Sequence, residues 1–289
     1  MMKDIKVAIQ GYAGSFHDEV AQLYFKKNYT PVPADSFDEL AGKISFGEAD
    51  YGIMAIENSI AGTILQNYRI LREHGFWIRG EAFHRIELYL LTNEPIDLSQ
   101  LKVVESHPMA LNQCLQFLST LHGIKRVESL DTALSAQSLA MKPNKKKAVV
   151  ASRLAAETYG LHIQKESIET HKTNYTRFFI VSKNKEIYDS RKANKVSAFI
   201  KIPDKKGQLL KVLQKIQDHD LNLSKLQSFP VLGAFREYFF HMDIEFDHLD
   251  QYFNLKDDIL EVTSEYEELG IYARADISEI LWKSKELKT

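Results

Sequence analysis

The chain has 289 residues, 44% of them hydrophobic and 26% charged, with a formal net charge of −2. That length fits two domains and a sizeable core, and the near-neutral balance excludes general nucleic-acid binding, which needs a basic surface. The single cysteine, Cys114, excludes an intrachain disulfide and a thiolate metal cluster.

The N-terminus runs straight into an apolar strand, Ile5 to Ile9, with no apolar leader before it, and no stretch approaches the roughly 20 apolar residues that span a bilayer. The expectation is a cytoplasmic protein. A helical pattern follows from Ser15 through Phe25, in which His17 reads as a surface residue. Tyr51 to Ile56 and Arg85 to Asn93 read as strands. "HPMALNQCLQFLST" reads as one amphipathic helix with Pro108 in its first turn and Cys114 as a buried small hydrophobe. Lys145-Lys146-Lys147 follows Pro143 and Asn144 and reads as a solvated loop. Lys147 to Ser152 is a strand feeding a helix that Gly160 closes, and Phe178 to Val181 is a buried strand. Strands alternating with helices predict a parallel α/β architecture.

Ser182 to Lys195 is a polar linker, after which the order changes. Val196 to Ile202 is a strand. Gly207 to His219 is a helix with Leu209, Leu210, Leu213 and Ile216 on one face. Leu221 to Phe229 and Phe235 to Phe246 form a hairpin, Leu249 to Glu268 contains a second helix, and Gly270 to Arg274 closes the set. The sequence β-α-β-β-α-β is the ferredoxin-like split βαβ.

Polar residues gather where strands run into helices. In "GYAGSF", Gly11 and Gly14 allow a tight turn, and Ser15 can cap the next helix, where exposed N–H groups favour an anion. In "IENSIAGT", Asn58 and Ser59 follow a buried strand, at the carboxyl end where α/β sheets bind ligands. In "ESHPMAL", Ser106 and His107 open a helix; His107 reads either as a base or as a half-buried structural side chain. "TNYTRFFIVS" places Asn174, Thr176 and Arg177 at the mouth of an apolar strand. No phosphate-binding loop, dinucleotide fingerprint or nucleophile elbow competes, and the ten histidines include no H-x-x-x-H pair. A pocket of hydroxyls, amides, helix N-termini and one arginine suits a small dianion.

"GYAGSF", "IENSIAGTI", "SHPMALNQC" and "NYTRFF", in this order, resemble prephenate dehydratase over about Ile5 to Val181, and the C-terminal remainder of the chain resembles the ACT regulatory module. The resemblance implies a two-lobed, periplasmic-binding-protein-like α/β catalytic region at 1–183, a linker at 184–195 and a ferredoxin-like ACT domain at 196–289. It implies conversion of prephenate to phenylpyruvate with loss of water and carbon dioxide, without metal or redox cofactor. By it, Thr176 is the catalytic threonine, and Arg177 holds a substrate carboxylate. Phe178 lines the pocket, Asn174 orients the loop or substrate, and Ser15, Asn58, Ser59 and Ser106 bind substrate. It also implies that L-phenylalanine binds the ACT domain near Gly207, Leu209, Asn222 and Leu223, in a homodimer or homotetramer. The chain departs from the family pattern at Tyr12, Ser15, His17, Ala55 and Met109. In the tail, Gln227 and Phe229 stand where the family commonly has Glu and Arg. Two other readings share the pattern: an arogenate dehydratase, and a non-catalytic sensor of small anions.

Overall fold

A computed structural model describes residues 5–26, 28–185, 187–231 and 237–278. The chain begins with β1 (Ile5–Gln10), α1 (Phe16–Phe25), β2 (Tyr29–Ala34), α2 (Phe37–Ser45), β3 (Tyr51–Asn58) and the short β4 (Gly62–Thr63). It continues through α3 (Leu65–His74), β5 (Trp77–Arg85), β6 (Tyr89–Thr92), β7 (Val103–Ser106), α4 (Pro108–Gln113) and α5 (Leu115–Leu118). Then come β8 (Lys125–Glu128), α6 (Thr132–Met141), β9 (Lys147–Ala151), α7 (Arg153–Tyr159), β10 (His162–Lys165) and β11 (Tyr175–Ser182). The last group is β12 (Lys195–Lys201), α8 (Gln208–Asp218), β13 (Asn222–Pro230), β14 (Tyr238–Glu245), α9 (Leu249–Val262) and β15 (Glu265–Tyr272).

Three sheets carry these strands. The first runs β2-β1-β3-β11-β5 with β4 on β3, the second β10-β6-β9-β7-β8, and the third β13-β14-β12-β15. The expectation of parallel sheets holds for β1 with β2 and β3, and for β7 with β8 and β9. It fails for β6, which pairs antiparallel with both β9 and β10, so the second sheet is mixed. Strand β2 is not expected from the sequence, because Pro31 and Pro33 argue against a strand. It lies at a sheet edge, where a missing N–H costs no ladder bond. The single helix expected after His107 is two helices, divided at Cys114, which is fully buried.

Among the described residues, contacts form two compact units: 5–64, 82–178 and 277–278 in one, 65–81 and 179–276 in the other. In the first unit the second sheet is covered on both faces. Leu88, Leu90, Val104, Ala148 and Val150 pack with Leu111, Cys114 and Leu118, while Tyr89, Leu91, Val149 and Ala151 pack with Ala133, Ala136 and Ala155. Residues two apart share a face, so one strand feeds two cores.

In the second unit β12, α8, β13, β14, α9 and β15 follow the expected β-α-β-β-α-β order; Phe235, assigned to the hairpin, lies outside the described residues. Val196, Ile200, Val212, Ile216, Met242, Ile244, Leu255 and Ile259 form its core. Helix α3 belongs to this unit: the Tyr68 ring lies 4.6 Å from His241 and 5.3 Å from Phe229, and the Arg72 guanidinium sits 3.3 Å over Phe239. Lys195 and Glu81 form a buried ion pair at 3.0 Å, and Glu81 also accepts from the Ala275 N–H. Gly270 is required here, because a Cβ would stand 2.1 Å from the Ile78 carbonyl oxygen.

His17 departs from its expected place on a helix surface. Only 9% of it is exposed, and its ring packs against Phe37 at 5.6 Å and edge-on against Phe178 at 5.1 Å. Burial pushes its pKa from the ordinary 6.5 down to about 3, so it is neutral at physiological pH. The sign for stability follows from linkage. Below pH 6.5 the unfolded chain takes up a proton that the folded chain refuses, so His17 weakens the fold as pH falls toward 3. His17→Phe fills the same space without this term. Urea titrations at pH 6.5 and 4.5 should show wild type losing about 2 kcal/mol more than the variant, at roughly 1.4 kcal/mol per pH unit. Identical losses would assign the acid sensitivity elsewhere.

Candidate active site

The first unit holds a cavity of about 300 Å³, within the range of small-ligand pockets. Gln10, Ser15, Phe16, His17, Asn58, Thr176 and Phe178 line it from the first sheet and its connections. His107, Met109, Gln113, Asp131 and Thr132 line it from the second. Gln10, Ser15, Phe16, His17, Asn58, His107, Met109, Asp131 and Thr132 come from strand ends or the helix starts that follow, while Gln113 ends α4 and Thr176 and Phe178 lie on β11.

Ser15 caps α1: its Oγ accepts from the Asp18 N–H at 3.3 Å, and the Asp18 carboxylate accepts from the Gly14 N–H at 2.8 Å. The Ser15 hydroxyl keeps its proton for another acceptor. Gly14 has φ +85°, and a Cβ there would stand 2.7 Å from Ala155 Cα, so the loop tolerates only glycine. The Ser152 hydroxyl donates to the Gly14 carbonyl at 2.6 Å and the Tyr159 hydroxyl to the Ala13 carbonyl at 2.8 Å, tying α7 to this loop.

Asn58 ends β3. Its Oδ1 accepts from the N–H groups of Ile60 and Ala61 at 2.9 and 2.8 Å. Its Nδ2 donates to Asn174 Oδ1 at 2.8 Å and to Thr176 Oγ1 at 2.9 Å. Asn174 in turn donates to Gln113 Oε1 at 3.0 Å. Asn58, Asn174 and Thr176 are all buried, so this amide chain replaces water for groups that would otherwise be costly to bury.

Of the residues singled out in the sequence, the cavity brings together Ser15, Asn58, Thr176 and Phe178. Asn174 stands behind the wall, joined to it through Asn58. Ser59 fastens the β3–β4 turn to β11 rather than lining the cavity: its Oγ donates to the Thr173 carbonyl at 3.0 Å and accepts from the Tyr175 N–H at 2.9 Å. Ser106 is fully buried and donates to the Val150 carbonyl at 2.5 Å, inside the sheet. Arg177 is the largest correction. Thr176 and Phe178 face the cavity, and side chains alternate along β11, so Arg177 lies on the opposite face, its guanidinium 5.9 Å from the Phe83 ring. Among the described residues no Lys or Arg lines the cavity.

The charged group that sequence reading missed is Asp131. It caps α6, accepting from the Leu134 N–H at 2.9 Å. Gly11 has φ +89°, a backbone conformation that side-chain-bearing residues rarely adopt, and a Cβ there would fall 2.6 Å from the Asp131 carboxylate. Burial pushes the Asp131 carboxyl above the usual aspartate range, against the pull of the α6 N–H groups and of His107. An aspartate directly before an apolar helix is a cap signature, and that signal is present in "SLDTALSA". His107 caps α4 instead of standing as an unengaged base, its Nδ1 accepting from the Met109 N–H at 3.2 Å. No group of three or more His, Cys, Asp or Glu among the described residues is arranged to hold a metal ion.

A second cavity of about 210 Å³ lies in the other unit, lined by Gly207 and Leu209 together with Ile202, Asp204, Tyr238 and Phe240. Asn222 and Leu223, expected with Gly207 and Leu209, do not line it. They sit on β13, where Asn222 donates to Glu245 at 3.0 Å.

Comparison with known proteins places this geometry. Arogenate dehydratase 2 of Petunia hybrida is 32% identical over 261 residues, covering 86% of this chain; the chain spans 66% of that relative's length. A solved structure described as a novel type of quorum quenching acylase superposes with a TM-score of 0.83 at 28% identity, covering 94% of this chain and 99% of its own. A prephenate dehydratase from Arthrobacter aurescens in complex with L-Phe gives 0.82 at 23% identity, over 99% of this chain and all of its own, and so shares the fold. The family description "Prephenate dehydratase" matches residues 7–186, well over half of the chain, and the chain belongs to the prephenate dehydratase family.

Proposed function

We propose that the protein converts prephenate to phenylpyruvate, as a step in phenylalanine biosynthesis. The observation that carries this reading is the Thr176 hydroxyl at the cavity wall, held by the Asn58 amide. In the reaction the ring carboxylate leaves as carbon dioxide, and its bonding pair enters the ring. The ring hydroxyl leaves with one added proton as water, and the ring becomes aromatic. Hydroxide is a poor leaving group, so a donor at that oxygen lowers the barrier. Thr176 supplies the donor, while Phe178 and Phe16 offer apolar walls to a ring that is losing its charge.

The arginine clamp expected from the sequence is not part of this proposal. Anionic groups on the ligand are met instead by the N–H groups at the start of α1 and by the hydroxyls of Ser15 and Thr132. Weak neutral donors suit a carboxylate that must depart, since tight pairing in the ground state opposes its loss.

One observation favours a second substrate. Asp131 places a carboxylate in the cavity, and arogenate carries an ammonium group where prephenate carries a keto oxygen. The 32%-identical relative named arogenate dehydratase points the same way.

The C-terminal β-α-β-β-α-β segment, 196–289 after a linker at 184–195, reads as an ACT regulatory domain. Its effector is L-phenylalanine, seated in the cavity lined by Gly207 and Leu209. We place the protein in the cytoplasm as a homodimer or homotetramer. No helix among the described residues is long and apolar enough to cross a membrane.

Three measurements test these readings. Thr176→Val, folded by circular dichroism, should lose ~10²-fold or more in kcat for prephenate; near wild-type formation of phenylpyruvate removes Thr176 from the chemistry. Asp131→Asn keeps a good helix cap and should shift the ratio of kcat/KM for arogenate over prephenate toward prephenate by about tenfold, the order of one lost charge pairing. An unchanged ratio leaves Asp131 as a cap alone. Calorimetric titration with L-phenylalanine should show saturable heat, and its absence at millimolar ligand overturns the effector reading.

A further inference from the structure

The hydrogen bonds around Asn58 determine which way the Thr176 proton points. Backbone N–H groups only donate, so the two that reach Asn58 from Ile60 and Ala61, at 2.9 and 2.8 Å, mark that atom as the amide oxygen. The other end is therefore the NH2 group, and its two hydrogens go to Asn174 Oδ1 at 2.8 Å and Thr176 Oγ1 at 2.9 Å, with the Tyr175 carbonyl a longer third contact at 3.4 Å. An amide nitrogen has no lone pair to offer. Thr176 Oγ1 can only accept from Asn58, and its own O–H must turn away. The side of Thr176 left open to it is the cavity.

We propose that Asn58 is a positioning residue, anchored by the Ile60 and Ala61 N–H groups, that turns the Thr176 hydroxyl into a donor aimed at the ligand. Asn174 and Gln113 extend the same chain. Asn174 Oδ1 is occupied by Asn58, so its NH2 is the group that meets Gln113 Oε1 at 3.0 Å. Every bond runs in one direction, set by two backbone N–H groups that no side-chain flip can reverse. A serine or threonine in water divides its proton among several acceptors; here the alternatives are removed before the ligand arrives. This assignment rests on the reading that Thr176 donates to the departing oxygen.

Asn58→Asp tests it by exchanging the amide NH2 for an oxygen. The new carboxylate still accepts from Ile60 and Ala61, but it turns a second oxygen toward Thr176, and the Thr176 hydroxyl then donates to that oxygen instead of to the ligand. At pH 8 kcat for prephenate should fall ~10²-fold or more while KM changes by less than about threefold. On acidification the introduced carboxylate takes up a proton and regains a donor toward Thr176, so kcat should recover at least tenfold between pH 8 and pH 5.5, relative to wild type over the same range. A residue that merely braces the loop gives a loss that does not change with pH, and that outcome overturns the proposal, as does wild-type kcat at pH 8. If the variant does not fold, a neutron structure of the wild-type protein reads the hydroxyl directly. The Thr176 deuteron should lie on the cavity side, with one deuteron of Asn58 between the two residues; a Thr176 deuteron directed at Asn58 refutes it. Wild-type protein that forms no phenylpyruvate removes the dehydratase reading itself, whereas active wild type with an unaffected Asn58→Asp removes only this inference.

Discussion

The cavity depends on a hydrogen-bonded amide that joins two chain segments more than a hundred residues apart. Asn58 ends β3 and Thr176 lies near the start of β11; the Asn58 side chain bonds Ile60 and Ala61 on its own side of that gap and Asn174 and Thr176 across it. Without it, the Asn174 amide oxygen and the Thr176 hydroxyl oxygen, both on buried residues, would lose this donor, each at a cost of roughly 1–3 kcal/mol. The same amide therefore closes the turn into β4, fixes the height of β11 in its sheet and orients a hydroxyl. Stability and function draw here on one group.

The groups around that amide explain why the cavity is polar without being strongly charged. Its donors are helix starts and hydroxyls, among them Ser15, whose Oγ accepts from the Asp18 N–H. Its carboxylate, Asp131, is held close against Gly11 and tied to the first turn of α6. His17 adds a wall that stays neutral, since burial removes its proton over the physiological range. A site of this kind discriminates by the placement of hydrogen-bond donors more than by net attraction.

Much of this is legible in the residue order. Strand ends followed by Gly, Ser or Asn announce the loops, and Ser15, Asn58, Thr176 and Phe178 do meet in one cavity. Arg177 is misread for a geometric reason: a motif read as a string places neighbours side by side, whereas an extended chain sends them to opposite faces. Ser106 is misread because a hydroxyl at a strand end can turn into the sheet, here to Val150, as easily as out of it. Asp131 is legible as a helix cap, but nothing local in the sequence shows that it or Gln113 faces a cavity. Only the packing of two sheets places them beside Thr176. The prolines of β2 hide a strand that tolerates them at an edge.

The compact unit built on the C-terminal sheet also takes in α3 and most of β5, and this bears on how such chains can be recombined. Tyr68 is packed under Phe229 and His241, Glu81 is neutralised by Lys195, and the Ile78 carbonyl is approached so closely by Gly270 that no side chain fits between them. Severing the chain between 183 and 195 would uncover an aromatic ring and strand a buried carboxylate without its counter-ion. A tail exchanged between homologues would have to bring a matching helix along with it.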